Sequence, residues 1–428
     1  MSTTPSPQPA PFEQKYQSQA PYRLPELIRY MLRLGSSGFG GPVALVGYMY
    51  RDLVEKRSWF TAAEYKEGLT LSQIAPGPLA AQLAIYLGFC HYGLLGASLV
   101  GFAFVIPSFL MVVVLGWVYV RFGELPWLQA AFYGVGACII GIIARSAQKL
   151  ALKTVGKDRL MWAIFGVVGA NTVLIEQESI PLIVYAGVLL WAVRRGRAGA
   201  TGAEPVPMAR RLPVLLPVST GGAFLLVYAF VPQTAEGLFA GWNGSFGGSA
   251  GGSVLWDIFW YFGAAGTFVF GSGLAIVPFL FGGVVKEFHW LTDQQFLDAV
   301  AVALITPGPV VITTGFIGYL VAGLAGACVA AFATFFPCYL FTVIPAPLMR
   351  RYGTHPAIIA AVDGITAATA GAIAGAVIVL GRRSIVDLPT AGIALATYLV
   401  LAKTSKLPEP ALVVLSAILG LMIQPLIH

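Results

Sequence analysis

Apolar stretches of membrane-span length follow one another almost from end to end of this chain, separated by short polar segments. In the first half they fall at roughly 26–50, 68–92, 94–120, 127–150, 159–175 and 179–194. A matching set lies at roughly 256–285, 297–321, 323–348, 356–381, 385–402 and 408–427. A helix needs about 20 residues to cross ~30 Å of hydrocarbon, and lipid offers no partner to backbone N–H and C=O groups, so such spans should be helical. Continuous runs such as Leu94 to Val120 lack the short alternating pattern of an outer-membrane strand. The pattern predicts an all-α polytopic membrane protein.

The two sets are copies. Ala75-Pro76-Gly77-Pro78 returns as Thr306-Pro307-Gly308-Pro309, and Trp59-Phe60-Thr61 returns as Trp290-Leu291-Thr292. A shift of 231 positions also superimposes Gly35 on Gly266, Phe39-Gly40 on Phe270-Gly271, and Val54 on Val285. An unmatched apolar run at about 213–232 separates the copies. Six crossings plus one is odd, so the second copy should enter the membrane from the opposite side. The expected layout is a disordered cytoplasmic tail at 1–25, a first repeat at 26–194, a basic linker at 195–255 holding the extra helix and a Gly/Ser-rich loop, and a second repeat at 256–428.

Charge orients this layout. Arg194, Arg195, Arg197, Arg210 and Arg211 crowd one loop, whereas the 233–253 loop has no Lys or Arg. The positive-inside rule puts the former in the cytoplasm, together with Lys149, Lys153, Lys157, Arg159, Arg350, Arg351, Lys403 and Lys406. The N-terminus is then cytoplasmic and the C-terminus external. The 51–67 loop, with Arg51, Lys56, Arg57 and Lys66, would fall outside, against the rule. Re-entrant Pro-Gly-Pro segments would also change the crossing count.

Composition agrees with a membrane protein: 57% of the 428 residues are hydrophobic and 11% charged, with a mean hydropathy of +0.79. The net charge of +7 resides in short loops, so it implies the bilayer as partner rather than nucleic acid. Cys90, Cys138, Cys328 and Cys338 lie in apolar segments without paired spacing and read as small packing residues, with no metal site. The tail lacks the charged start and apolar stretch of a signal peptide.

Pro76 and Pro78 remove two backbone donors and obstruct carbonyls one turn earlier, while Gly77 permits a turn. Pro307-Gly308-Pro309 does the same. Softer breaks fall at Gly38-Phe39-Gly40-Gly41-Pro42 and its mate Phe270-Gly271-Ser272-Gly273. A broken helix leaves unpaired N–H groups at the start of its second half, and its dipole makes that end an anion site. Leu79, Ala80 and Ala81 would supply donors after the first Pro-Gly-Pro, and Val310, Val311 and Ile312 after the second. Ser72, Gln73 and Gln82 in one half, and Thr306, Thr313 and Thr314 in the other, are candidates to complete an oxyanion shell. The alternative is that each motif only kinks a packed helix; paired occurrence favours the site.

Through Phe39-Gly40-Gly41-Pro42, the Trp59-Phe60-Thr61 region, Ala75-Pro76-Gly77-Pro78 and Thr306-Pro307-Gly308-Pro309, the chain resembles the long-chain, two-domain form of the chromate ion transporter family, from about Leu27 onward. The resemblance implies a bacterial inner-membrane protein that expels chromate and confers chromate resistance, with sulfate as a related anion. The second copy lacks a counterpart of Pro42, so the halves need not share the work equally.

Four charged residues are further candidates for substrate steering or coupling. Arg145 lies in an apolar run and has Gly375 opposite it in the second repeat; it is either a partner for the anion or a snorkelling arginine beside Lys149. Asp363 is either a proton relay or a helix-start acid. Arg29 and Arg33, one turn apart, either steer an anion or anchor a helix at the headgroups. Thr61 with Glu64 forms a capping box, and His91 and His289 have no ligand spacing.

These features predict secondary transport of a tetrahedral oxyanion, chromate outward, by alternating access and without a cofactor. No nucleotide-binding loop is present. Uptake of sulfate or another oxyanion with coupled cations is the alternative reading. A membrane enzyme is a third, although neither HExxH nor GxSxG occurs. A second copy of the chain, forming a homodimer, is left open as a partner.

Overall fold

The computed structural model describes residues 21–39, 41–123, 125–156, 158–176, 179–199, 254–267, 269, 273, 276–347, 356–404 and 409–427. The tail to residue 20, the unmatched run at 213–232, most of the linker, Gly40, Gly271, Arg350, Arg351 and Lys406 lie outside the described residues.

Among the described residues every regular element is helical. The first repeat holds α1 (Leu24–Ser37), α2 (Gly41–Met49, extended by a π-helical turn Tyr50–Lys56), α3 (Ala62–Ile74), α4 (Leu79–Phe122), α5 (Pro126–Thr154), α6 (Arg159–Ile175) and α7 (Ile180–Gly199). The second holds α8 (Val254–Thr267), α9 (Ile276–Phe281, extended by the turn Gly282–Glu287), α10 (Asp293–Ile305), a 3₁₀ turn Val310–Ile312, α11 (Thr313–Val343), α12 (Pro356–Ser384), α13 (Leu388–Lys403) and α14 (Glu409–Ile427). Among the described residues four helical stretches are long and apolar enough to cross a membrane: Leu79–Phe122, Pro126–Leu152, Val310–Val343 and Ile359–Ser384.

The expected spans at 26–50 and 68–92 are not crossings but helices folded back on themselves. Tyr30 of α1 donates its hydroxyl to the Tyr48 carbonyl of α2 at 3.3 Å, which brings residues either side of the 38–40 break together. A Cβ on Gly68 of α3 would lie 2.2 Å from the Tyr86 ring, so α3 packs against the start of α4 with the Pro-Gly-Pro at the tip. At 13 residues, α3 is about 20 Å long, too short to cross alone. Gly93, at φ +59°, then divides α4 into limbs α4a (79–92) and α4b (94–122). Gly88 and Gly96 pack face to face across that turn, where a Cβ on either would meet the other's carbonyl at 2.4 Å or less. The second repeat repeats the design. Tyr261 donates to the Phe279 carbonyl at 2.7 Å, α10 packs on the start of α11, and Gly323 at φ +61° divides α11 into α11a and α11b (324–343). The capping boxes Thr61–Glu64 and Thr292–Gln295 start α3 and α10 identically.

The two repeats enter from opposite faces, as α4b shows along its length. Phe104 packs on Gly35, and Gly101 on Ile85, both first-repeat hairpin residues. Ser108 then meets Pro307, Gly116 the Tyr319 ring, and Tyr119 meets Asp298 at 2.6 Å, all second-repeat hairpin residues. The hairpins of one repeat therefore sheathe one half of α4b and those of the other repeat the remaining half. In α11b the order is reversed: Thr334 packs on Gly266, Cys338 on Gly77, and Tyr339 bonds Ser98 at 2.9 Å. The remaining helices exchange partners between repeats, α5 packing on α13 and α14, and α12 on α6 and α7.

The chain thus has an N face, where α1 begins, and a C face, where α14 ends. Because α1–α2 and α3–α4a fold back, the 51–67 loop lies on the N face with Lys149, Arg159, Arg194 and Lys403, not opposite them as the simple crossing count expects. The C face carries Arg121, Lys286, Arg382 and Arg383.

Candidate functional site

All four hairpin tips meet inside the protein, and their backbones are joined across the repeats. The Gly77 amide donates to the Val269 carbonyl at 2.6 Å, and the Gly308 amide to the Gly38 carbonyl at 3.0 Å. These bonds are mates under the 231-residue shift. Each donor is a glycine in the positive-φ region, Gly77 at +140° and Gly308 at +100°, where a Cβ is strained. Gly41, which opens α2, is a third, at +72°.

Pairs of side chains brace the tips. Ser108 donates its hydroxyl to the Pro307 carbonyl at 2.7 Å and lies 3.2 Å from the Gly35 carbonyl. Its mate, buried Cys338, stands against Gly77 on the other side. Gln82 is fully buried and donates Nε2 to the Pro76 carbonyl at 2.7 Å, while its Oε1 has no hydrogen-bond partner among the described residues. The matching stretch Val310–Thr314 has no amide, so this group breaks the symmetry.

The candidate hydroxyls face inward but spend their protons locally. Ser72 donates to Gly68, Thr306 to Val302, Thr313 to Val310 and Thr314 to Val311, all at 2.6–3.1 Å. In apolar surroundings the carbonyl one turn back is the nearest acceptor. Backbone N–H groups are left as the candidate donors for an anion: Pro78 caps α4a without a side-chain bond, leaving the first amides of that helix without intrahelical partners. Pro42 is half-buried and Gln73 is exposed beside the first tip. Pro76, Pro78, Pro307 and Pro309 form the tips themselves.

The charged candidates stand elsewhere. Arg145 bonds Gln148 on its own helix α5. Asp363 pairs with Arg194, which also lies 3.3 Å from Asp158, toward the N face. Arg29 and Arg33 are exposed on α1. His91 lies 3.4 Å from Glu64 and 2.8 Å from the Tyr22 hydroxyl. Among the described residues no group of three or more His, Cys, Asp or Glu is placed to hold a metal ion. Cys328 is exposed, unlike the other three cysteines, so it is not a packing residue.

Sequence reasoning missed Ser108 and Cys338. Ile106-Pro107-Ser108 and Phe336-Pro337-Cys338 are related by 230 positions, one fewer than the motifs before them. Proline inside a helix, found in both, was the available signal.

The sequence pattern of the family described as chromate transporter matches residues 25–192 and again 256–421. A chromate transport protein of Cupriavidus metallidurans is 57% identical over 414 residues, 95% of each chain. A probable chromate transport protein of Synechococcus elongatus is 55% identical over 402 residues, 94% of this chain and 96% of its own. A chromate transport protein of Pseudomonas aeruginosa is 28% identical over 88% of this chain and 86% of its own. No solved structure matches the chain. With both repeats matched and more than half the residues shared along nearly the whole length, the chain belongs to the chromate transporter family.

Proposed function

We propose that this protein exports chromate across a bacterial inner membrane by alternating access, with the four hairpin tips as the anion site. The observation that carries the reading is the pair of crossed bonds, Gly77 to Val269 and Gly308 to Gly38, at the junction of two oppositely directed repeats. Backbone amides bind oxyanions without adding net charge, which suits an ion that must leave again. The anion competes with the Gly38 and Val269 carbonyls for the two glycine amides, and receives further bonds from the first turn of α4a. Breaking one crossed bond while keeping the other opens one face at a time. The names of the relatives support chromate as the substrate. Sulfate, with the same charge and shape, would compete for the same donors.

The basic N face is the cytoplasmic one by the positive-inside rule. Outward movement of a dianion then gains about twice 2.3 kcal/mol per 100 mV of inside-negative potential, so export needs no nucleotide hydrolysis. No catalytic role is assigned to any residue. Inside-out membrane vesicles containing the protein are expected to accumulate labelled chromate under an imposed potential, faster than vesicles lacking it. Equal accumulation in the two would overturn the reading.

A further inference from the structure

Asp298 is 4% exposed, inside an apolar cluster, on the re-entrant helix α10. Its Oδ2 accepts the Tyr119 hydroxyl at 2.6 Å, and its Oδ1 accepts the Gln294 amide at 2.9 Å. Both donors are neutral, and among the described residues it has no Lys, Arg or His partner. An ionised carboxylate without a counter-cation is costly to bury. A protonated one fits the same place, because the carboxyl O–H can donate to the Tyr119 oxygen with the bond reversed. The site therefore accommodates both protonation states.

The groups facing it from packed elements do not supply the missing cation. Tyr119 comes from α4b, and Phe316 and Phe132 pack against the Tyr119 ring. From α5, Tyr133 is bonded to Asp387. At the base of the hairpin, Lys286, Arg383 and Asp293 are engaged with one another or with Glu176. Asp298 also joins a hairpin to a crossing helix, so movement of α10 along α4b would separate it from Tyr119 and open it toward the C face.

Its mate under the 231-residue shift is Glu67 on α3, which lies within hydrogen-bonding reach of Tyr86. Glu67 is half-buried where Asp298 is sealed. Inverted repeats holding unlike conformations would give two such mates unlike exposure.

We infer that Asp298 is the proton-binding site that couples this transporter to the proton gradient, exchanging one inward proton for outward oxyanion. This rests on the transport reading above. At the external face the carboxylate takes a proton from hydronium, leaving water; at the cytoplasmic face the carboxylic acid returns it to water.

The test uses inside-out vesicles, whose lumen corresponds to the exterior, loaded with a pH-reporting dye and given labelled chromate under a constant potential. In the wild type, an acid lumen is expected to raise the initial rate of chromate accumulation severalfold, and chromate entry to make the lumen more alkaline. Trapping of chromate as its protonated form in the acid lumen is common to all variants. Asp298→Asn keeps an acceptor for the Gln294 amide and can donate its own N–H to the Tyr119 oxygen; it should retain the potential-driven flux, lose the stimulation by an acid lumen, and make the lumen alkaline only by as much as the protonation of the chromate carried. Asp298→Glu should recover part of what is lost. Tyr119→Phe removes a donor to the ionised form and should move the lumenal pH of half-maximal stimulation to higher values, a readout that stands if Asp298→Asn fails to reach the membrane. Undiminished stimulation in Asp298→Asn, an unmoved midpoint in Tyr119→Phe, or a wild type that carries chromate yet ignores lumenal pH overturns the coupling role. A wild type carrying no chromate overturns the transport reading itself, and the coupling role with it.

Discussion

The amide of Gly308 donates to the carbonyl of Gly38, 3.0 Å away, tying the tip of a second-repeat hairpin to the tip of a first-repeat one. With its mate from Gly77 to Val269 at 2.6 Å, it makes each repeat complete the other's broken helix. A buried amide and a buried carbonyl satisfy one another in each case. Each amide becomes available to another acceptor only if its two hairpin tips separate, which on the proposed reading would link anion binding to the movement of the repeats.

Gly308 should be intolerant of any side chain, for a reason that can be relieved. A Cβ there would sit 2.0 Å from Ser108 Oγ, at a φ of +100°. Gly308→Ala is expected to slow chromate accumulation about tenfold or more, equivalent to at least ~1.4 kcal/mol. Adding Ser108→Gly removes the clash and leaves the backbone strain of roughly 1–2 kcal/mol, so the double variant should recover part of the rate. If Ser108→Gly brings no recovery in the vesicle assay, the contact is not what makes the glycine necessary.

The helical class could be read from the length of the apolar runs, and the repeat and the tips from Pro76-Gly77-Pro78 and Pro307-Gly308-Pro309 with the motifs around them, because proline and glycine act through local backbone chemistry. The direction of the chain after each break could not. An apolar run reads the same whether it crosses the bilayer or folds back halfway, and the contacts that decide it, Tyr30 to Tyr48 and Gly68 to Tyr86, join residues 18 apart. The candidate hydroxyls Ser72, Thr306 and Thr313 were legible as buried polar groups. Their loss to carbonyls of the same helix was not, because any serine or threonine in a helix has that option and only the surroundings decide. Ser108 and Cys338 were hidden by the one-residue change of offset between the repeats.

Gln82 offers a test of the site that does not depend on glycine. Its Nε2 is the partner of the Pro76 carbonyl at 2.7 Å. Gln82→Leu leaves that carbonyl unpaired, at about 1–3 kcal/mol, and should lower thermal stability in detergent with a moderate loss of transport. Gln82→Glu sets an acceptor against an acceptor and, if ionised, a negative charge beside the anion. It is expected to abolish chromate accumulation, whereas wild-type flux in Gln82→Glu would remove this residue from the site.

On the C face, Glu176 accepts bonds from Lys286 at 2.7 Å and Arg383 at 2.6 Å, and Arg383 also pairs with Asp293. The cluster joins the hairpins of the second repeat to α6 and α12. The Lys286 hydrogen bond, with the charges of Lys286 and Arg383, holds the Glu176 carboxyl below its ordinary range. A lowered carboxyl contributes stability above its unfolded value and loses it as pH falls through the folded one. Glu176→Gln should therefore melt slightly lower than wild type at neutral pH, by the modest amount expected of partly exposed pairs, about 1 kcal/mol or less. The gap should close as the pH falls below about 4. A gap independent of pH would show that packing, not charge, holds this corner.

The fold-back of α1–α2 has the sharpest consequence for topology. If residues 24–56 crossed the membrane, Glu55 and Arg121 would lie on the same face; with α1 and α2 packed as a hairpin, Glu55 shares the N face with Lys403. All three are exposed. In a background with exposed Cys328 replaced by Ala, Glu55→Cys and Lys403→Cys should react with a membrane-impermeant thiol reagent in inside-out vesicles but not in intact cells or spheroplasts. Arg121→Cys should show the opposite pattern. Labelling of Glu55→Cys together with Arg121→Cys would make 24–56 a true crossing, while all three reversing together would keep the hairpin and invert the protein in the membrane. The hairpin predicts the first pattern because it places Arg51, Lys56, Arg57 and Lys66 with the other basic loops of the N face, which the positive-inside rule puts in the cytoplasm.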